Sequence, residues 1–430
     1  LGDVYKRQTL AFYLLLPIYF VRLFLKGINN KEYLSRWPER LGIAKNTPSE
    51  EKNLIWVHAV SVGEVNASIP LLRRLKEDYE DIEILVTTTT PTGSKLVLER
   101  LGSSIQHQYL PVDIPICINK FLNVWQPKFL ILLETEIWPN LLHCCKERGI
   151  CTALVNARLS EKSQLNYEKF ISLMRPAFES IDLILAQFDS DKARLNKITK
   201  HKVIDVCGNL KFDQEVPHEL KEISTNIKND WAIDGELRPT LIAASTHEGE
   251  EEIVLNAFNN IQETYPNSLL ILVPRHLERF DQVKELLKES KLDFVTRSNK
   301  SDVTKTTKVL LGDTIGELNF LYSLSNVAFV GGSLVDHGGQ NLLEPAAQGL
   351  AILSGPSLRN FSDISKQLIS NDALDIINDS LELSERFLFL IENKEIASKR
   401  GQSAYKVFSD NRGSLDRIFN KLKPSMDNFI

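Results

Sequence analysis

The chain has no GxGxxG and no GxxxxGK[ST], so it lacks both a dinucleotide fingerprint and a Walker-type phosphate loop. It has no HExxH, and no Asp-x-Asp pair leaves an apolar strand as a metal-dependent sugar transferase would need. Asp189-Ser190-Asp191 opens a helix pattern instead. His247-Glu248-Gly249-Glu250-Glu251-Glu252 has the composition of a metal cluster. It too opens a helix, where acids complement the dipole and Ser245 or Thr246 can cap. No metal is expected. The five cysteines, Cys117, Cys144, Cys145, Cys151 and Cys207, are an odd number with no CxxC and no zinc spacing. Reduced cytoplasmic thiols packed as small hydrophobes are the plain reading. A formal charge of -5 gives no pull toward nucleic acid.

A run long enough to span a bilayer is missing as well. The longest uninterrupted apolar stretch, Leu10–Val21, has 12 residues, against about 20 for a transmembrane helix. No small-residue cleavage site follows it, so it is not a secretory signal. Tyr13, Tyr19, Arg22, Lys26, Lys31, Arg36 and Arg40 add interfacial aromatics and positive charge, which favours the cytoplasmic side. A dipping or barely spanning anchor over residues 9–26 is preferred to a buried core helix. Residues 1–8 fit nothing that follows and are excluded from fold reasoning.

What is present is a long alternation of short apolar strands and amphipathic helices. At 430 residues this implies two domains, each a mostly parallel sheet with helices on both faces. Strands are expected at Leu54–His58, Ile82–Thr88, Phe129–Leu133, Thr152–Val155, Leu183–Ala186 and Val203–Cys207. They resume at Leu241–Ala244, Leu269–Val273, Val309–Leu311, Val327–Val330 and Ala351–Leu353. Helices are expected at Val65–Glu77, Gly93–Leu101 and Pro139–Arg148, then at Glu248–Thr264, Leu277–Ser290 and Asn341–Gly349. The organisation reads as an anchor at 9–26, a first domain at 27–215, a linker at 216–238, a second domain at 239–410 and a terminal segment at 411–430.

Ligands of such sheets sit beyond the carboxyl ends of the strands, and the loops there are rich. Ser61-Val62-Gly63-Glu64 offers a glycine for a tight turn or close approach and an acid in the first turn of a helix. Alone, Glu64 could be complementing the helix dipole. A second acidic loop, Glu134-Thr135-Glu136-Ile137-Trp138-Pro139-Asn140, also leaves an apolar strand. Paired carboxylates suit proton removal from an alcohol nucleophile. Lys211 and Arg275, each after a strand, suit a phosphate in an interdomain cleft. Gly331-Gly332-Ser333 and Gly338-Gly339 can bring backbone N–H groups to a ligand. A helix starting near Asn341 presents its positive end, and Glu344 can take ribose hydroxyls.

These loops, with Asn156-Ala157-Arg158-Leu159-Ser160, Gly208-Asn209-Leu210-Lys211-Phe212-Asp213, Val273-Pro274-Arg275-His276 and Gly312-Asp313-Thr314-Ile315-Gly316-Glu317-Leu318, resemble in order and content the motifs of bacterial 3-deoxy-D-manno-octulosonic acid (Kdo) transferases. The resemblance runs from the N-terminal segment to roughly residue 410. It implies a GT-B fold of two Rossmann-like domains facing a cleft, with an N-terminal anchor at the cytoplasmic side of the inner membrane. It implies inverting, metal-independent transfer of Kdo from CMP-Kdo, a substrate rather than a cofactor, to a lipid A precursor. Glu64 would be the base, with Glu134 and Lys211 stabilising the transition state. CMP would be held by Pro274, Arg275, Ile315, Gly316, Glu317, Asn341, Leu342, Leu343 and Glu344. The chain departs from the commoner pattern at Asp336-His337 and at Gln340. Two alternatives stay open beside this reading: another sugar-nucleotide enzyme, such as a UDP-sugar transferase or epimerase, and a membrane-bound nucleotide-sugar binder without activity.

Overall fold

The computed structural model of the protein describes residues 16–28, 30–48, 53–200, 204–213 and 219–429. The chain divides into two compact units, Leu1–Gln214 with Arg412–Ile430, and Glu215–Asn411.

The first unit is built on seven parallel strands, β1 (Asn53–His58), β2 (Ile82–Thr88), β3 (Gln106–Tyr109), β4 (Phe129–Leu133), β5 (Cys151–Ala157), β6 (Leu183–Ala186) and β7 (Ile204–Val206). Their order is β3-β2-β1-β4-β5-β6-β7. The central strands are largely apolar runs because helices cover both faces. Trp56, Leu130 and Leu154 pack on one face, Ile55, Val57, Ile131 and Val155 on the other. Chain order reverses between β1 and β4, the place where ligands of doubly wound sheets bind.

The second unit repeats the plan with β8 (Thr240–Thr246), β9 (Leu269–Pro274), β10 (Phe294–Thr296), β11 (Val309–Leu311), β12 (Val327–Val330), β13 (Ala351–Ser354) and β14 (Leu374–Ile376). The order is β10-β11-β9-β8-β12-β13-β14, again all parallel. Here the reversal falls between β8 and β12.

The last helix, Ser414–Met426, belongs to the first unit. Its Ile418, Phe419, Leu422 and Met426 enter that unit's core. The Asp213 carboxylate accepts the N–H groups of Gly413 and Leu415, both at 2.7 Å, an acid at a helix start where unpaired donors favour one.

Three strands were not anticipated, β3, β10 and β14. All are short, and all lie at sheet edges. The helix expected over Leu277–Ser290 is a 3-10 turn, Leu277–Arg279, followed by a helix at Phe280–Glu289. That expected from Asn341 is a five-residue turn of helix, Leu343–Ala347, too short to carry an appreciable dipole. Val203 and residues 9–15 of the expected anchor lie outside the described residues; residues 16–28 are helical. No helix among the described residues is long and apolar enough to cross a membrane.

Candidate active site

Glu64 stands in the first turn of the helix Val62–Asp78, directly after β1. Its carboxylate folds back onto the turn that precedes it. Oε2 accepts the Val60 N–H at 2.7 Å and Oε1 accepts the Ser61 hydroxyl at 3.0 Å. Gly63 makes no tight turn: it is helical, and a Cβ there would meet only Ser61 Oγ, at 3.9 Å. Glu64 is 7% exposed. Burial, and then the charges of Glu134 and Glu136, raise its carboxyl to about 8, against the two hydrogen bonds. A carboxyl tuned this far toward neutrality is suited to proton transfer.

Glu134 follows β4, across the reversal from β1. Its φ is 58°, a left-handed conformation costly for a non-glycine residue. Its N–H is held by the Val155 carbonyl at 2.9 Å, which fixes the direction of the side chain. Lys211 Nζ donates to Glu134 Oε1 at 2.9 Å. Lys211 lies in a 3-10 turn, Leu210–Asp213, anchored by buried Leu210 and Phe212. The Leu210 N–H is accepted by Oδ1 of Asn156 at 3.0 Å. Asn156 is itself left-handed, at φ 57°, and fully buried. The second acid of the loop, Glu136, accepts the Trp138 indole N–H at 3.1 Å. Burial and then Glu134 lift its carboxyl to about 7. The two acids of this loop thus have the partners that burial requires.

Sequence reasoning passed over His58 at the end of β1. Its Nδ1 meets the Thr87 hydroxyl at 2.9 Å, while buried Nε2 has no partner among the described residues. Burial lowers its imidazole to about 4. The Trp138 ring stands edge-on to it, with centroids 6.4 Å apart. A neutral imidazole with an open nitrogen beside the acidic loop is a polar contact held in reserve.

In the second unit, Arg275 is exposed just after β9, whereas Pro274 is buried. Ile315 is 71% exposed. Beside it the Glu317 carboxylate is gripped by Arg297, at 2.9 and 3.1 Å, and accepts the Thr314 hydroxyl. These bonds, Arg297's first, hold it below the usual carboxylate range. Asn341 Nδ2 donates to Glu344 Oε1 at 3.0 Å, and its Oδ1 accepts the Leu343 N–H. The side chains of Leu342 and Leu343 are buried, so contact with a nucleotide from these two positions would have to come from backbone.

The glycine pair at 331–332 is not an open phosphate nest. Glu250 fills it. Its carboxylate accepts the N–H groups of His247, Gly332, Ser333 and Leu334 at 2.6–2.9 Å. A Cβ on Gly331 would sit 2.8 Å from both Glu250 Oε2 and the Ser245 carbonyl. Glu250, Glu251 and Glu252 stand in the first turn of a helix as expected, but Ser245 and Thr246 do not cap it. Glu250 and Glu251 are fully buried, and the helix Glu250–Thr264 is capped by Gly249 without a side chain. Thr246 instead donates to Glu251 Oε1, which also receives Arg279 at 2.8 Å.

Two parallel sheets of this order and a buried, proton-tuned acid at the first reversal suit a glycosyltransferase of the GT-B fold. Solved structures agree on the fold. S. aureus MnaA with UDP superposes with a TM-score of 0.61 at 15% identity, covering 88% of this chain and 98% of that one. A putative UDP-N-acetylglucosamine 2-epimerase from Listeria monocytogenes gives 0.57 at 17%, covering 88% and 97%. In sequence, the family described as 3-deoxy-D-manno-octulosonic-acid transferase (kdotransferase) matches residues 35–214. The 3-deoxy-D-manno-octulosonic acid transferase of Haemophilus influenzae is 39% identical over 413 residues, 96% of each chain. That of Bordetella pertussis is 36% identical over 346 residues, 78% of this chain and 79% of its own. The chain belongs to the Kdo transferase family.

Proposed function

We propose that the protein transfers Kdo from CMP-Kdo to a hydroxyl of a lipid A precursor, with inversion and without a metal ion, at the cytoplasmic face of the inner membrane. The observation that carries the reading is Glu64: a buried carboxyl raised to about 8, fixed by two hydrogen bonds, across the strand reversal from the Glu134–Lys211 pair. Glu64 takes the proton of the acceptor hydroxyl. The hydroxyl oxygen bonds to the anomeric carbon of Kdo as the bond from that carbon to the phosphate oxygen breaks, and CMP departs with the electron pair. A phosphate leaving group needs no protein acid. It needs cations and exclusion of water. Lys211, steadied by Glu134, meets the negative charge that develops, and Glu134 the positive charge on the sugar. Arg275 takes the donor phosphate. Ile315, Gly316, Glu317, Asn341, Glu344 and the backbone of Pro274, Leu342 and Leu343 hold the rest of the nucleotide.

The test is mass spectrometry of the product formed from CMP-Kdo and a lipid A precursor. The acceptor gains Kdo mass with the native protein, and Glu64→Gln slows this by about 10²–10⁴-fold. In parallel, CMP raises the melting temperature and UDP does not. An unchanged rate in Glu64→Gln removes the base assignment; protection by UDP alone removes the donor.

A further inference from the structure

Three of the chain's eight histidines, unremarkable in spacing, meet at the carboxyl end of the second sheet. His247 follows β8 directly, His276 follows β9, and His337 lies in the loop after β12. These three strands are neighbours at the centre of the sheet, on either side of its reversal. The rings of His247 and His337 stack with centroids 4.2 Å apart and 19° between planes. His276 stands edge-on to His247 at 5.3 Å and 84°. Gly332, at φ 66°, makes room: a Cβ there would come within 3.3 Å of His247 Cδ2. Gln340 donates its amide to His247 Nε2 at 2.9 Å.

The arrangement suits an anion and not a metal. Two of the rings lie nearly parallel in a stack, and Nε2 of His247 is already taken by Gln340. Among the described residues no group of three His, Cys, Asp or Glu side chains is placed to hold a metal ion. The acids around the cluster are already engaged or lie aside. Glu250 is turned onto backbone N–H groups, Glu251 pairs with Arg279, and Asp336 is bound by Arg359. Glu248 and Glu278 are exposed, and Glu278 favours the charged form of His276. Arg275, beside His276, has no carboxylate partner among the described residues. The site therefore has an uncompensated cation beside three clustered imidazoles. Burial, then His337, His276, Arg275 and Arg279, hold His247 down at about 4. Burial and then Arg275 hold His276 below its ordinary value. His247 is neutral at pH 7 while no anion is near, and His276 is pushed the same way.

We propose that His247, His276 and His337, with Arg275, form an anion site that receives the charged group of the sugar-nucleotide donor and takes up a proton from solvent as it binds. The proposal rests on the reading of the second unit as the donor-binding unit. An anion against the rings opposes the burial and the neighbouring positive charge that hold His247 and His276 below their ordinary values. The Gln340 amide can follow by turning its carbonyl to the protonated ring. Linkage then requires anion affinity to rise as pH falls, by up to about tenfold per pH unit for one proton. A phosphodiester and a sugar carboxylate share this chemistry, and the donor has both.

The experiment is titration calorimetry of the full chain at pH 7 in two buffers of different ionisation enthalpy. The probes are the methyl ester of CMP (one non-titrating phosphate charge), the methyl glycoside of Kdo (a carboxylate only) and cytidine (neither). A buffer-dependent heat with the ester or the glycoside, absent with cytidine, supports the site and names the group it reads. The triple variant His247→Gln/His276→Gln/His337→Gln should retain ester binding through Arg275 and lose the buffer dependence and most of the pH dependence of affinity, while the exposed pair His276→Gln/His337→Gln should lower the proton uptake at an unchanged melting temperature. Ester and glycoside heats that are identical in both buffers, or proton uptake that survives in the triple variant, overturn the site and leave the donor reading standing. Failure of CMP and its ester to bind at all overturns both.

Discussion

Oε2 of Glu250 accepts the backbone N–H of Gly332 at 2.6 Å, and the same carboxylate takes the N–H groups of His247, Ser333 and Leu334. A nest of backbone donors at a strand end is a general anion receptor. Here the protein supplies the anion itself, tying the loops after β8 and β12 together. The loop from 335 to 344 therefore starts from a fixed point.

Glu250→Ala should accordingly destabilise the second unit by about 3 kcal/mol or more, since it strands four buried N–H donors at once. Glu250→Gln keeps one accepting oxygen but turns an amide N–H₂ toward donors, and should cost roughly half as much. Denaturant titration measures both. An alanine variant within about 0.5 kcal/mol of the native protein would show that the carboxylate holds nothing.

The acid limb of the pH–rate profile reports Glu64. A base works when deprotonated, so kcat/KM should rise with pH and level off above about 8, the value to which burial and the neighbouring acids lift the carboxyl. Glu136→Gln removes one of those acids and should move the limb to lower pH. In Glu64→Gln the limb should vanish. The same variant should be the more stable protein from about pH 5 upward, by on the order of 1–3 kcal/mol at pH 8. With the folded value raised, ionisation favours the unfolded chain throughout that window. Thermal melts across pH test the sign.

Lys211 and Glu134 are joined at 2.9 Å with side chains 22% and 23% exposed. Screening makes such a pair worth only about 1 kcal/mol to folding, so its value lies in orientation. Lys211→Ala should lower kcat by about 10²-fold with little change in melting temperature. Glu134→Gln, leaving the ammonium unsteadied, should cost a similar factor. The double variant should lose less than the product of the two, a coupling of about 1–2 kcal/mol in a kinetic cycle. Strict additivity would mean that the two groups act separately.

Most central strands were legible because burial on both faces writes an uninterrupted apolar run, as in Phe129–Leu133 and Leu269–Pro274. The three that escaped are edges. β3 reads Gln106-His107-Gln108-Tyr109, with no apolar run to mark it although Gln108 and Tyr109 are buried. At the site, Glu64, Glu134 and Lys211 could be picked out because charge after an apolar strand is conspicuous. Glu250 could not, since an acid in the first turn of a helix is ordinary there, and only the fold brings Gly332 to it. His247, His276 and His337 escaped for the same reason: their neighbourhood is made by three strands, not by spacing. Asn156 and Glu134, both with positive φ, give no sign of it in composition.

The proposed membrane association is tested on residues 16–28. Ile18, Val21, Leu25 and Ile28 recur on one face of this helical segment and are 57–65% exposed, while Leu23 is buried. Phe20 packs against Trp37 at 5.0 Å, so the segment is docked on its inner side and apolar on its outer side. An outward apolar stripe flanked by Arg22, Lys26 and Lys31 is the composition of a helix lying in an anionic bilayer surface. Ile18→Glu with Leu25→Glu removes apolar area and adds two negative charges without touching a buried side chain. This variant should leave CMP protection and melting temperature unchanged and shift the protein from the membrane fraction to the supernatant. It should also reduce transfer to vesicle-borne acceptor by tenfold or more while sparing transfer to detergent-dispersed acceptor. Retention in the membrane fraction with both charges in place would sink this face as the membrane-binding surface.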